Sequence, residues 1–173
     1  KQMLAEVAEN IRSTTGALLI LLMVGALAGT WMVSGIIPAM IDYGLQIANP
    51  RFFLPACVVI SALVSLATGS SWSTSATIGI ALIGIGKALD LPVGMVAGAV
   101  ISGAYFGDKL SPLSDTTNLA PAMAGADLFT HIHYMTYTTV PSIVVTLIVF
   151  ITLGVGFSTD GSANSQELLN AMN

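Results

Sequence analysis

Apolar side chains run along this chain in long blocks separated by short polar clusters. No Asp, Glu, Lys or Arg occurs at 13–41, 52–86 or 128–159, stretches of 29, 35 and 32 residues. A hydrocarbon core of about 30 Å takes roughly 20 helical residues to cross, so each stretch can hold a spanning helix. A fourth apolar run, 91–107, is 17 residues long. Ahead of them, Met3, Leu4, Val7 and Ile11 fall on one helical face, with Glu6, Glu9 and Arg12 elsewhere. That pattern predicts an amphipathic interfacial segment over 1–15. Segment 16–41 reads as the clearest span, and Gly25 and Gly29 in it are spaced for close helix contact. A last span is expected from about Thr139 to Phe157, followed by a polar tail over 158–173.

Two blocks cannot be simple crossings. Thirty-five helical residues at 1.5 Å each would extend about 52 Å, so 52–86 must be interrupted. The interruption is visible as TGSSWST at 68–74, five hydroxyl residues and a glycine between apolar arms of about 15 residues. The economical geometry is a re-entrant hairpin over 52–88 whose polar tip sits at membrane depth, where irregular backbone must be buried in protein or line a wet cavity. The second block is a helix from Val93 with Gly94, Gly98 and Ser102 on one close-packing face. It fails at 107–118, where Gly107 allows a turn and Pro112 removes a backbone donor. A broken helix over 93–126 results.

Composition confirms the solvent. Fourteen charged residues make up 8% of the 173, against roughly 25% in soluble domains, and the mean hydropathy is +0.85. The expected fold is an all-α integral membrane protein, multi-pass, with a re-entrant hairpin and a discontinuous helix, seated in the cell membrane. A net charge of −4 argues against nucleic acid as a partner. The lone Cys57, in an apolar run, reads as a packing residue. The chain opens at Lys1 without an initiator Met and shows no second copy of any motif, so 16–157 reads as roughly half of a transport core. The remaining half, or a second copy in a homo-oligomer, is then an expected partner. No serine stands in a nucleophile elbow with a matching base, so an enzyme is not expected.

The chemistry concentrates at 107–118: Asp108, Asp115, Lys109, Ser111, Ser114, Thr116, Thr117 and Asn118. Ionisable groups at membrane depth are costly and face a pathway or a partner. Oxygen ligands without Cys or His suit a small hard cation, so sodium or a proton is the simplest cargo, and no separate cofactor is implied. The same loop could also be an interfacial turn, with Asp115 capping the segment after it. His131 and His133 point in different directions on a helix and read as interfacial packing, while Asp127 and His131 are spaced to pair.

The runs TGSSWST (68–74), TIGIA (77–81), GAYFGDKLSPLSDTTNLAP (103–121) and DLFTHI (127–132) resemble the NhaC-type sodium/proton antiporters of the ion transporter superfamily, over most of 29–146. The resemblance implies a cation site between a re-entrant tip and an unwound helix. By position, the tip contributes Thr68, Ser70, Ser71, Ser73 and Thr74, and the unwound segment is 107–118. The implied function is sodium/proton exchange by alternating access, with sodium at Asp115 and neighbouring oxygens. Asp115 is the expected exchanging carboxylate, because neutral oxygens surround it most densely. Asp108 is its expected electrostatic support, and Lys109 balances charge. Two alternatives remain at this level: sodium- or proton-coupled organic-anion exchange, with the tip and Lys109 contacting a substrate carboxylate, and a non-transporting structural membrane subunit.

Overall fold

A computed structural model of the chain describes residues 2–47 and 49–171. Its helices are α1 (Gln2–Val33), α2 (Ile36–Ile47), α3 (Pro50–Thr68), α4 (Ser71–Ala76), α5 (Ile78–Ala88), α6 (Val93–Leu110), α7 (Asp115–Ala124) and α8 (Leu128–Ala171). No strand occurs among the described residues.

Helix α1 runs unbroken through the boundary expected at residue 15. The span expected over 16–41 is broken instead at Ser34 and Gly35: Leu22–Val33 and Ile36–Gln46 meet at 68°, and Gly35 takes a φ of 83°. That left-handed conformation is nearly free of strain only for glycine. Helix α3 starts on Asn49, whose side chain accepts the Arg51 N–H at 3.1 Å, with Pro50 at the first helical position, where its missing donor is harmless. At 19 residues it is longer than the expected arm and long enough to cross a membrane. It stops at Gly69, left-handed at φ 71°, whose N–H closes on the Ser65 carbonyl at 2.8 Å. Ser70 at once caps α4 by accepting the Ser73 N–H at 3.2 Å. The return arm then kinks at Thr77 (φ −111°, ψ −85°) before α5. Thr74 and Thr77 donate to the carbonyls of Ser70 and Ser73 at 2.9 and 2.6 Å, an attachment that bends helices. Segment 52–88 is thus one arm long enough to cross a membrane and one broken arm.

Helices α3 and α6 form the central pair. Phe53, Leu54, Cys57 and Val58 of α3 interlock with Val96, Ala99 and Val100 of α6, and Leu82 and Ile85 of α5 close the core. The backbones approach where α6 carries glycine: a side chain at Gly103 would strike the Val58 carbonyl, and one at Gly107 the Ala62 carbonyl. This four-residue pair makes the close contact. The spacings picked from sequence do not, since Gly25, Gly29 and Gly94 have no neighbouring atom within 4 Å of a would-be side chain, and Gly98 meets only a ring edge of Phe150. Helix α6 ends at Leu110, and Ser111 to Ser114 form the break before α7, so the discontinuous helix is present.

The last span begins earlier than Thr139, because Leu128–Gly156 is one apolar helix of 29 residues, long enough to cross. It continues to Ala171 as helix, and residues 172 and 173 of the expected tail lie outside the described residues. Asp127 stands just before it and accepts both the Thr130 N–H at 2.9 Å and the Thr130 hydroxyl at 3.0 Å. The carboxylate is therefore held by Thr130, not by His131. These bonds favour its charged form and lower its pKa below the usual carboxylate value. Because the folded-state value is depressed, the capping contribution is present in full above the unfolded value of about 4 and fades as pH falls through the folded one. Hydrogen exchange of the Leu128 to His131 amides is expected to quicken in that acid window in the native chain. With Asp127→Ser, which keeps a cap without a charge, that acceleration should vanish.

Candidate functional site

The hydroxyl-rich turn and the helix break, 40 residues apart in sequence, are in contact. A side chain at Gly69 would lie 2.6 Å from the Leu113 carbonyl carbon and 2.8 Å from its oxygen, so the tip rests on the break backbone to backbone. Two serines fasten the seam. The Ser111 hydroxyl donates to the Leu66 carbonyl at 2.7 Å, and that of Ser65 to the Ala104 carbonyl at 2.6 Å. Ser65, Ser71, Thr74, Ser111, Ser114 and Thr117 are all buried. Hydroxyls so placed must find partners, and these do.

At the centre of the seam stands Asp108. Its Oδ2 accepts the Ser71 hydroxyl at 2.8 Å, a bond from the tip to the last turn of α6. A hydrogen bond to a charged group contributes about 1.5–3 kcal/mol. Its Oδ1 is buried and has no hydrogen-bond partner. Thr117 closes over the same turn, its hydroxyl 3.2 and 3.3 Å from the carbonyls of Asp108 and Lys109.

Asp115 is placed differently. It is the first residue of α7, exposed, and its Oδ1 accepts the Thr116 N–H at 2.8 Å. A carboxylate there complements the helix N-terminus. Ser114, not Asp115, is the cap, taking the Thr117 N–H at 3.5 Å and sharing a 2.9 Å contact with the Thr116 hydroxyl. Asn118 holds the break shut by donating to the carbonyls of Pro112 and Ser114, both at 2.7 Å. At the tip, Thr68 and Thr74 hydroxyls meet at 3.4 Å and Ser73 is half-buried. Trp72 is 68% exposed. It lines a cleft of about 230 Å³ that reaches Ser71, with Tyr105 opposite.

Lys109 lies outside the junction. Consecutive residues on a helix point about 100° apart. With Asp108 facing the tip, Lys109 therefore faces α8, and no ion pair joins the two among the described residues. Sequence reasoning missed Ser61 and Ser65. Ser61 is wholly buried and its hydroxyl has no partner. The available signal was two serines four apart in an otherwise apolar helix, which places both on one face.

Residues 103–173 match the model of the Na+/H+ antiporter family. Over 153 residues, 88% of this chain, it is 47% identical to the Na(+)/H(+) antiporter NhaC of Alkalihalophilus pseudofirmus. Over most of its length the chain is thus similar to members of this family. It is also 47% identical over 86% of its length to the malate-2H(+)/Na(+)-lactate antiporter of Bacillus subtilis, and 39% identical over 90% to the arginine/ornithine antiporter ArcD of Halobacterium salinarum. The chain covers 32% to 33% of each of these three, so it spans about a third of the length of the relatives it matches. No solved structure matches it significantly. Family and apolar helices together make it an integral membrane protein, all-α and multi-pass.

Proposed function

We propose that the full-length carrier to which this chain belongs exchanges sodium for protons, and that Asp108 is the group on which the two compete. The observation that carries this reading is the buried, unpartnered Oδ1 of Asp108 beside the Ser71 bond. An unpaired carboxylate oxygen removed from water is costly, and either a proton or a small hard cation relieves it. Competition for one group needs no covalent chemistry, which makes the protein a carrier and not an enzyme, and needs no resident cofactor. Sodium and protons are its cargo, the bilayer its solvent. The further oxygens a sodium ion takes come from the tip and break hydroxyls and from the rest of the carrier.

The test is flux. Vesicles holding the full-length carrier, given an inward sodium gradient with no organic anion present, should acidify the outside and give a saturable dye signal. No signal at any pH between 6 and 9 would overturn the reading.

A second reading is favoured by one feature: Lys109 faces a hydroxyl-lined cleft, apart from the cation junction. The malate and lactate named for one relative, and the arginine and ornithine named for another, all carry carboxylates. Exchange of such solutes, coupled to sodium or protons, would use that cleft.

A further inference from the structure

Helices α6 and α8 face each other with matching stripes. On α6, Ser102, Tyr105 and Lys109 share one face, and on α8 Thr139, Ser142 and Thr146 share the opposing one. Between them lies a cleft of about 270 Å³. Ser142 is at the midpoint of the 29 apolar residues of Leu128–Gly156, so the cleft with Lys109 in its wall lies along the middle of that helix. An ionisable side chain at membrane depth marks a ligand pathway or a partner.

The hydroxyls define what fits. Ser102 donates to the Gly98 carbonyl at 2.7 Å, and Thr139, Ser142 and Thr146 donate to Met135, Thr138 and Ser142 at 2.7, 2.8 and 2.9 Å. Their protons are committed to their own helices, so they present only lone pairs to the cleft. The cleft therefore combines the strong cationic donor of Lys109 with a row of acceptors. Its complement is a small molecule with a carboxylate at one end and a hydrogen-bond donor close by, as in a hydroxy acid or an amino acid. Tyr105 lines this cleft and also the one reaching Ser71.

We propose that the α6–α8 cleft binds the carboxylate of a small organic anion bearing an adjacent donor, with Lys109 as anchor and the Thr139, Ser142 and Thr146 oxygens as acceptors. The structure thereby separates Lys109 from the hydroxyl tip, which the sequence placed on one shared carboxylate. This site rests on the organic-anion reading above.

Calorimetry on the full-length carrier in nanodiscs of neutral phosphatidylcholine tests it, with L-lactate, L-malate, propionate and succinate as probes. The expected result is saturable L-lactate binding, weakened about fivefold in propionate, which lacks the hydroxyl donor. Lys109→Gln should weaken L-lactate by about tenfold or more, since a charge-assisted bond is lost, while Lys109→Arg stays within a few-fold. Ser142→Leu, which fills the cleft and leaves the ammonium in place, should also abolish binding and covers the case in which Lys109→Gln does not fold. If the native carrier binds none of the four probes, the organic-anion reading falls and the site with it. If it binds L-lactate and the variants that fold bind equally well, the site alone falls. A Lys109-dependent response to added phosphatidylglycerol with no carboxylate binding would make the cleft a lipid-headgroup site and overturn the proposal.

Discussion

Asp108→Asn in the full-length carrier is expected to cut sodium-driven proton movement by about a hundredfold, because it removes the carboxylate on which sodium and protons are proposed to compete, a loss of about 3 kcal/mol. The amide keeps the shape of the group and can still meet Ser71, so the protein should insert and remain monodisperse. What it loses is the ability to take up either a proton or a cation at Oδ1, the buried oxygen without a partner. Asp115→Asn should keep flux within about threefold, as expected for an exposed carboxylate whose bond is to its own helix N-terminus. Ser71→Ala should fall between the two, raising the sodium concentration for half-maximal flux by about tenfold through loss of one charged hydrogen bond. Dye-reported flux across pH 6 to 9 distinguishes the outcomes. A dead Asp115→Asn beside an active Asp108→Asn would return the exchanging role to Asp115.

The proposed exchange of roles between the two carboxylates marks what the sequence could and could not carry. Composition and charge gaps were enough for helices in a bilayer, since the 30 Å thickness of the hydrocarbon sets a length that any apolar run can be measured against. Pro112 and the Thr68-Gly69-Ser70 turn were legible as interruptions because proline lacks a donor and glycine alone relaxes into a left-handed bend. Ranking Asp115 first relied on how many hydroxyls adjoin it along the chain. In three dimensions those neighbours satisfy one another or the α7 N-terminus, whereas Asp108 draws its partner from 37 residues away. Long-range pairing of that kind leaves no local trace. Likewise, an adjacent Asp–Lys pair reads as neutralised on paper, yet the 100° turn between neighbours on a helix sends Asp108 to Ser71 and Lys109 to the cleft beside α8. The small-residue spacings were equally undecided, because four-residue repeats occur on α1 and on two parts of α6, and only the partner helix selects Gly103 and Gly107.

Gly69→Ala is the second large effect expected. Two separate penalties attach to it: a left-handed φ of 71°, which costs about 1–2 kcal/mol for a residue with a side chain, and a methyl group 2.6 Å from the Leu113 carbonyl carbon. Backbone cannot move aside as the end of a flexible side chain can, so the tip must lift from the break. Lifting it draws Ser71 away from Asp108 and should raise the sodium concentration for half-maximal flux by about tenfold. Gly125→Ala separates the two penalties, because Gly125 has nearly the same φ, 66°, but no atom within 4 Å of a would-be side chain. Both variants should lose thermal stability in detergent, Gly69→Ala the more because it carries both penalties, while only Gly69→Ala loses sodium affinity. If Gly125→Ala weakens sodium as much, the effect is backbone strain acting on the whole fold, and the seam between tip and break does not hold the site. Equal affinity in Gly69→Ala and the native carrier would dismiss the seam more directly, since a cation bound there has to feel the separation of Ser71 from Asp108.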